Sequence, residues 1–158
     1  MLDGNIPREL FGTNLGGLRI LYLNDNQLSG TIPVNYGSSP RLKDLWLNDN
    51  KLSGTLPIIS EGEFLFLGMS YVFQLCNRMC SFLCICSNPS FLFLLPLQIE
   101  ELLINNNDIT GEVDESICLI RNNTIPGGQL GVLHADCKPP PGGGEPQIQC
   151  SCCTACFV

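Results

Sequence analysis

The sequence predicts a repeat solenoid of α/β type. It should have one curved parallel sheet, an irregular or 3-10 convex side, and a Cys-rich cap at the C-terminal end. Three observations predict it. Leu18 to Pro33 recurs, almost word for word, as Leu42 to Pro57. A third copy runs from Ile99 to Val113, and six cysteines gather beyond it, from Cys118 to Cys156. A short fixed period of this kind belongs to units that cannot bury their apolar face alone and must stack.

The elements follow in order. A partial copy, Leu2 to Pro7, matches Leu28 to Pro33, so the chain opens in mid-repeat. Terminal repeats normally carry a polar cap, and no signal-peptide pattern stands here. Met1 is therefore expected to be the edge of a fragment or of an incomplete gene model. The two full copies read LxxLxLxxNxLxGx[IL]P, the spacing of a leucine-rich repeat. Leu21 and Leu23 alternate with exposed positions, which makes a short strand. Leu18, Leu28 and Ile32 complete the buried lining. Asn26 and Asn50 stand where the chain leaves the strand, and their amides can satisfy turn backbone beyond the reach of water. Gly30 and Gly54 permit the next bend, and Pro33 and Pro57 stiffen the exit. A degenerate fourth copy spans Leu130 to Cys137.

These motifs resemble the plant-type LxGxIP leucine-rich repeat family, seen in receptor ectodomains and wall-associated inhibitors. The resemblance covers residues 1–58 and 99–113, with a weak echo to 137. The finish, Ala135-Asp136-Cys137 and then Cys150 to Phe157, is similar to the C-terminal end of leucine-rich repeat proteins from diatom-like algae. The resemblance implies the solenoid fold and a recognition role, and says nothing about which ligand.

One segment departs from the pattern. Leu102 follows Leu45 at more than twice the interval that separates Leu45 from Leu21. Between Phe64 and Gln98 the only charged side chain is Arg78, and Cys76, Cys80, Cys84 and Cys86 fall there. A membrane helix has the apolar length, but Gln74, Asn77 and Arg78 interrupt it. It would also put two halves of one stack on opposite sides of a bilayer. An inserted loop would usually be polar. A translated intron fits both anomalies: Gly68-Met69-Ser70 can be encoded with a donor-like GTATGT, and Leu97-Gln98 with an acceptor-like CAG. Removing residues 68–98 brings Leu45 and Leu102 close to the repeat spacing and restores a soluble composition. The expected division is repeats at 1–58, the apolar insert at 59–98, repeats and a degenerate cap at 99–137, a Pro/Gly linker at 138–149 and a Cys-rich tail at 150–158.

Outside the insert six cysteines remain: Cys118, Cys137, Cys150, Cys152, Cys153 and Cys156. In an extracellular chain an even cluster at one end reads as disulfides. Fifteen pairings are open, and only the adjacent Cys152–Cys153 pair is disfavoured by geometry. Zinc at Cys150-x-Cys152 and Cys153-x-x-Cys156 is the competing reading. Asn122 opens the one usable N-glycosylation sequon. The net charge of −7 argues against nucleic acid as a partner.

No catalytic, metal or cofactor constellation is visible. The single histidine, His134, has Asp136 as a neighbour two residues on, but no nucleophile accompanies them. Asp114-Glu115 lacks the oxygen-rich loop of a calcium site. The non-leucine strand positions instead define a concave face. Its central column is Tyr22, Trp46, Leu103 and His134. Flanking columns hold Ile20, Asp44, Glu101 and Val132, then Asn24, Asn48 and Asn105, then Asp25, Asp49 and Asn106. The expected function is non-catalytic recognition of a protein or glycan, outside the cell or at its surface. A membrane-anchored receptor-like protein, if the insert is real, and an inhibitor of a secreted hydrolase are the alternatives.

Overall fold

A computed structural model of the chain describes residues 1–11, 17–39, 41–58, 99–121 and 129–158. These lie in one compact unit, Met1–Ile59 with Pro96–Val158. The apolar insert and Asn122 fall outside the described residues.

The first sheet is built by the leucine alternation. Strands β2 (Ile20–Tyr22), β4 (Asp44–Trp46), β6 (Glu101–Leu103), β9 (Val132–Ala135) and β11 (Ala155–Cys156) pair in parallel, in the order β11-β9-β6-β4-β2. The register follows the sequence repeat without a slip: Leu21 faces Leu45, Leu45 faces Leu102, and Leu102 faces Leu133. Thus β4 and β6 are neighbours although residues 59–98 separate them in sequence. Leu45, Leu102 and Leu133 are fully buried, as are Leu47, Ile104 and Ala135 in the next inward column. Truncating one of these leucines to alanine costs about 2–5 kcal/mol in a core that cannot collapse.

Past the turn the chain forms a second parallel sheet. Strands β1 (Asp3–Asn5), β3 (Gln27–Gly30), β5 (Lys51–Gly54) and β7 (Asp108–Ile109) follow one another. Here the pairing is staggered. Ser29 pairs with Lys51 instead of its repeat equivalent Ser53, and Ser53 pairs with Asp108 instead of Thr110. A slip of two residues keeps every side chain on its own side, because strand side chains alternate with period two. Leu28, Leu52 and Ile109 therefore stay buried. Short 3-10 turns at Arg8–Leu10 and Val34–Ser38 follow Pro7 and Pro33. Tyr36 of the second turn is fully buried with its hydroxyl 3.4 Å from the Pro57 carbonyl. Burial, then the charge of Asp114, pushes its pKa far up.

An asparagine ladder joins the two sheets. Asn50 Nδ2 donates to the carbonyls of Leu23 (2.8 Å) and Leu47 (3.1 Å), and its Oδ1 accepts the Leu28 N–H at 3.0 Å. Asn107 repeats this with Leu47 (3.0 Å), Ile104 (3.1 Å) and the Leu52 N–H (3.0 Å). Asn26 makes the same kind of bonds at the first rung, to Leu23 and Asn24, and accepts from Leu2. Each amide thus satisfies backbone groups that the turn removes from water.

The C-terminal end closes the stack with polar and covalent contacts. In the inner rungs two consecutive turn N–H groups donate to two carbonyls of the next rung, as Asp49 and Asn50 do to Asn105 and Asn106. At the last such turn the Asp136 carboxylate takes both roles, accepting from Asn106 N at 2.8 Å and Asn107 N at 3.1 Å. Asp136 is 1% exposed. Burial holds its pKa above the usual carboxylate range, against the downward pull of the two bonds. Asp114 Oδ1 accepts the Ser116 N–H at 2.9 Å and so begins helix α1 (Glu115–Arg121), which buries Ile117, Cys118 and Ile120.

The sequence reading places a linker at 138–149 between the last repeat and the tail. In the structure part of that stretch is itself a rung. Strand β10 (Ile148–Gln149) pairs with β8 (Gly111–Glu112), and Ile148 is buried. Disulfides Cys118–Cys152, Cys137–Cys156 and Cys150–Cys153 then tie the tail to α1, to the end of β9 and to itself.

Candidate recognition face

The five strands of the first sheet present one side to the core and one away from it. On the outer side the register aligns Tyr22, Trp46, Leu103 and His134 in one row, and Ile20, Asp44, Glu101 and Val132 in the next. Tyr22 and Ile20 are half exposed, at 50% and 51%. Large apolar groups left open on an ordered sheet are informative because the inward positions of the same strands, Leu45, Leu102 and Leu133, are fully buried.

Cross-strand packing organises these side chains. The rings of Tyr22 and Trp46 stack with centroids 4.2 Å apart and planes at 26°. Trp46 Nε1 donates to Glu101 Oε2 at 3.1 Å, and the Tyr22 hydroxyl reaches Asp44 Oδ2 at 3.5 Å. Desolvation first, and then the charges of Asp44 and Glu101, raise the Tyr22 pKa. Asp44 and Glu101 are themselves direct cross-strand partners. Lys43, one residue before Asp44, is engaged in an ion pair with Glu100.

The amide and acid columns lie past the strand ends. Asp25, Asp49 and Asn106 adopt left-handed backbone, with φ of 55°, 57° and 55°. Asp and Asn tolerate that conformation better than other non-glycine residues. Asn24 and Asn48 donate to the carboxylates of Asp25 and Asp49 at 2.5 Å, and Asn106 Nδ2 also reaches Asp49 at 2.6 Å. Asn105 is only 5% exposed. So Tyr22, Asp44, Trp46, Glu101 and Leu103 share one open face, whereas Asn24, Asp25, Asn48, Asp49 and Asn105 shape the turn beside it. The alternation in the sequence identifies the face. It does not reveal the aromatic stack, which follows from the strands of two successive repeats lying in register.

His134 and Asp136 do not form a pair. His134 lies against Phe157, with ring centroids 5.4 Å apart, and both Asp136 oxygens are engaged by backbone. The six C-terminal cysteines are oxidised in pairs, which sets aside zinc at those positions. Among the described residues no cluster of three or more ligating side chains could hold a metal, and no helix is long and apolar enough to cross a membrane.

In-register leucine rungs, an asparagine ladder and a disulfide-closed end define a leucine-rich repeat solenoid. The Leucine Rich Repeat family model matches residues 17–38 and 41–61, where the two full copies of the LxGx[IL]P repeat lie. Solved structures with a similar fold include a pollen receptor kinase 3, at 22% identity over 73% of this chain and 39% of that one, TM-score 0.46. The plant peptide hormone receptor RGFR1, solved with RGF2, is similar at 28% identity over 76% of this chain and 14% of that one, TM-score 0.47. The BIR3–SERK2 complex from Arabidopsis thaliana is similar at 24% identity over 94% of this chain and 55% of that one, TM-score 0.45. The chain thus spans less than two thirds of each of these solved chains. No curated protein matches it.

Proposed function

We propose that this chain is a non-catalytic recognition module that binds a protein ligand across the concave face of its first sheet. The observation that carries this reading is the Tyr22–Trp46 stack, ordered by its neighbours yet half exposed on its Tyr22 side. A rigid aromatic pair loses little entropy on binding and anchors interfaces well. Three disulfides suit an oxidising compartment, which supports work outside the cell or at its surface.

The test starts from peptides selected from a random displayed library. Trp46→Ala should weaken their binding by about 2 kcal/mol or more, as truncating a central aromatic anchor does. Lys51→Ala, in the second sheet, should cost far less. Thermal melts control for folding. Equal small effects at both positions would move recognition away from this face.

A further inference from the structure

We propose that the ligand segment this face receives is basic, with an arginine or lysine seated beside Tyr22 and Trp46 and between Asp44 and Glu101. The inference rests on the recognition reading above and narrows it to one chemistry.

The argument begins with a local conflict. Asp44 and Glu101 stand directly opposite each other on adjacent strands, and neighbouring strands lie about 4.8 Å apart. Like charges in that position repel. The nearest cation in sequence, Lys43, is engaged by Glu100. The two carboxylates do have neutral donors: Trp46 Nε1 for Glu101 and the Tyr22 hydroxyl for Asp44. Those bonds orient the acids toward the aromatic pair without neutralising them.

What would relieve the repulsion is a positive group held over this site. The surroundings fit one. Aromatic faces attract cations through their quadrupole, and the Tyr22 side of the stack is half exposed. Ile20, on the same face, offers an apolar shelf for the aliphatic stem that a long basic side chain carries. Asp25 and Asp49, at the turn beside the face, extend the negative field, in a chain whose net charge is −7. A basic peptide is therefore steered to the face and rewarded at its centre.

The experiment uses the full chain and the displayed random peptide library. Binders are remeasured against Asp44→Asn and Glu101→Gln, which keep the acceptor for each aromatic donor while removing the charge. Glu112→Gln and Glu145→Gln remove the same charge elsewhere on the surface. Binders should be enriched in Arg and Lys. They should lose about tenfold or more with either face variant and stay within about twofold with either control. The melting temperature of the face variants should not fall, because the free protein loses a like-charge pair. Binders that depend on Trp46 but are not basic would overturn this inference and leave the face reading intact. Equal losses with face and control variants would also overturn it, as attraction to overall charge. If no binder depends on Trp46, the face reading itself fails.

Discussion

Asn107→Ala should destabilise the chain far more than the equivalent change at the first rung, Asn26→Ala. Asn107 is 7% exposed. Its Oδ1 is the acceptor for the Leu52 N–H, and its amide serves the Ile104 and Leu47 carbonyls. Leu47 keeps a second donor in Asn50 Nδ2, so the truncation strands chiefly the Leu52 N–H and the Ile104 carbonyl. A buried polar group left without its partner costs about 1–3 kcal/mol. Two such groups give a loss of about 4 kcal/mol. At Asn26 the Oδ1 acceptor serves Leu2, which is exposed, and Leu23 keeps Asn50 as a donor. Water replaces what is lost there, and the cost should be about 1 kcal/mol. Asn50→Ala should fall between them. Urea unfolding of the oxidised protein measures all three, with equal m-values as the check on two-state behaviour. A loss at Asn107 no larger than that at Asn26 would refute the ladder as a buried support.

Gly54→Ala should cost about 1–3 kcal/mol, since Gly54 has φ of +81° and a Cβ there would meet Thr31 Cγ2 at 2.9 Å; Thr31→Ala should recover only the steric part in the double variant. Loop-closure entropy assigns about 3.8 kcal/mol to Cys118–Cys152, which spans 34 residues, and about 1.6 to Cys150–Cys153, which spans 3. Paired alanine variants measured by thermal melting should keep that order. Asp114→Ala should cost about 1 kcal/mol at pH 7 by removing the first-turn acceptor of α1. The nearby Ser116 hydroxyl and the Ser116 N–H lower the Asp114 pKa, so the contribution is full above the unfolded value and fades as pH falls through the folded one. The gap between wild type and variant should therefore close in acid melts. Deleting residues 68–98 should keep cooperative unfolding and raise solubility, because β4 and β6 already pair in register; loss of cooperativity would assign those residues a structural role.

What the sequence by itself determined is everything that repeats. The fixed period sets the first-sheet register, so Leu21, Leu45, Leu102 and Leu133 were legible as one inward column, buried at Leu45, Leu102 and Leu133 and partly buried at Leu21. Strand alternation likewise assigned Tyr22, Trp46 and Glu101 to the opposite face, and the turn position marked Asn26, Asn50 and Asn107. These are nearest-neighbour properties, and a short window of chain contains them. Only the tertiary structure decided what ends the pattern and what crosses it. The two-residue slip of the second sheet depends on how the backbone slants between turns, which side-chain alternation cannot register because both alignments keep the same faces buried. Asp136 reads in the sequence as a neighbour of His134, and only the fold shows its carboxylate meeting the Asn106 and Asn107 N–H groups instead. The six cysteines allowed fifteen pairings, and one was selected when Ile148–Gln149 and Ala155–Cys156 docked as further strands and brought Cys152 to Cys118 and Cys156 to Cys137. A repeat specifies its own stacking because each unit meets a copy of itself. Its terminus meets something different, and that contact is fixed only by where the folded chain places each group in space.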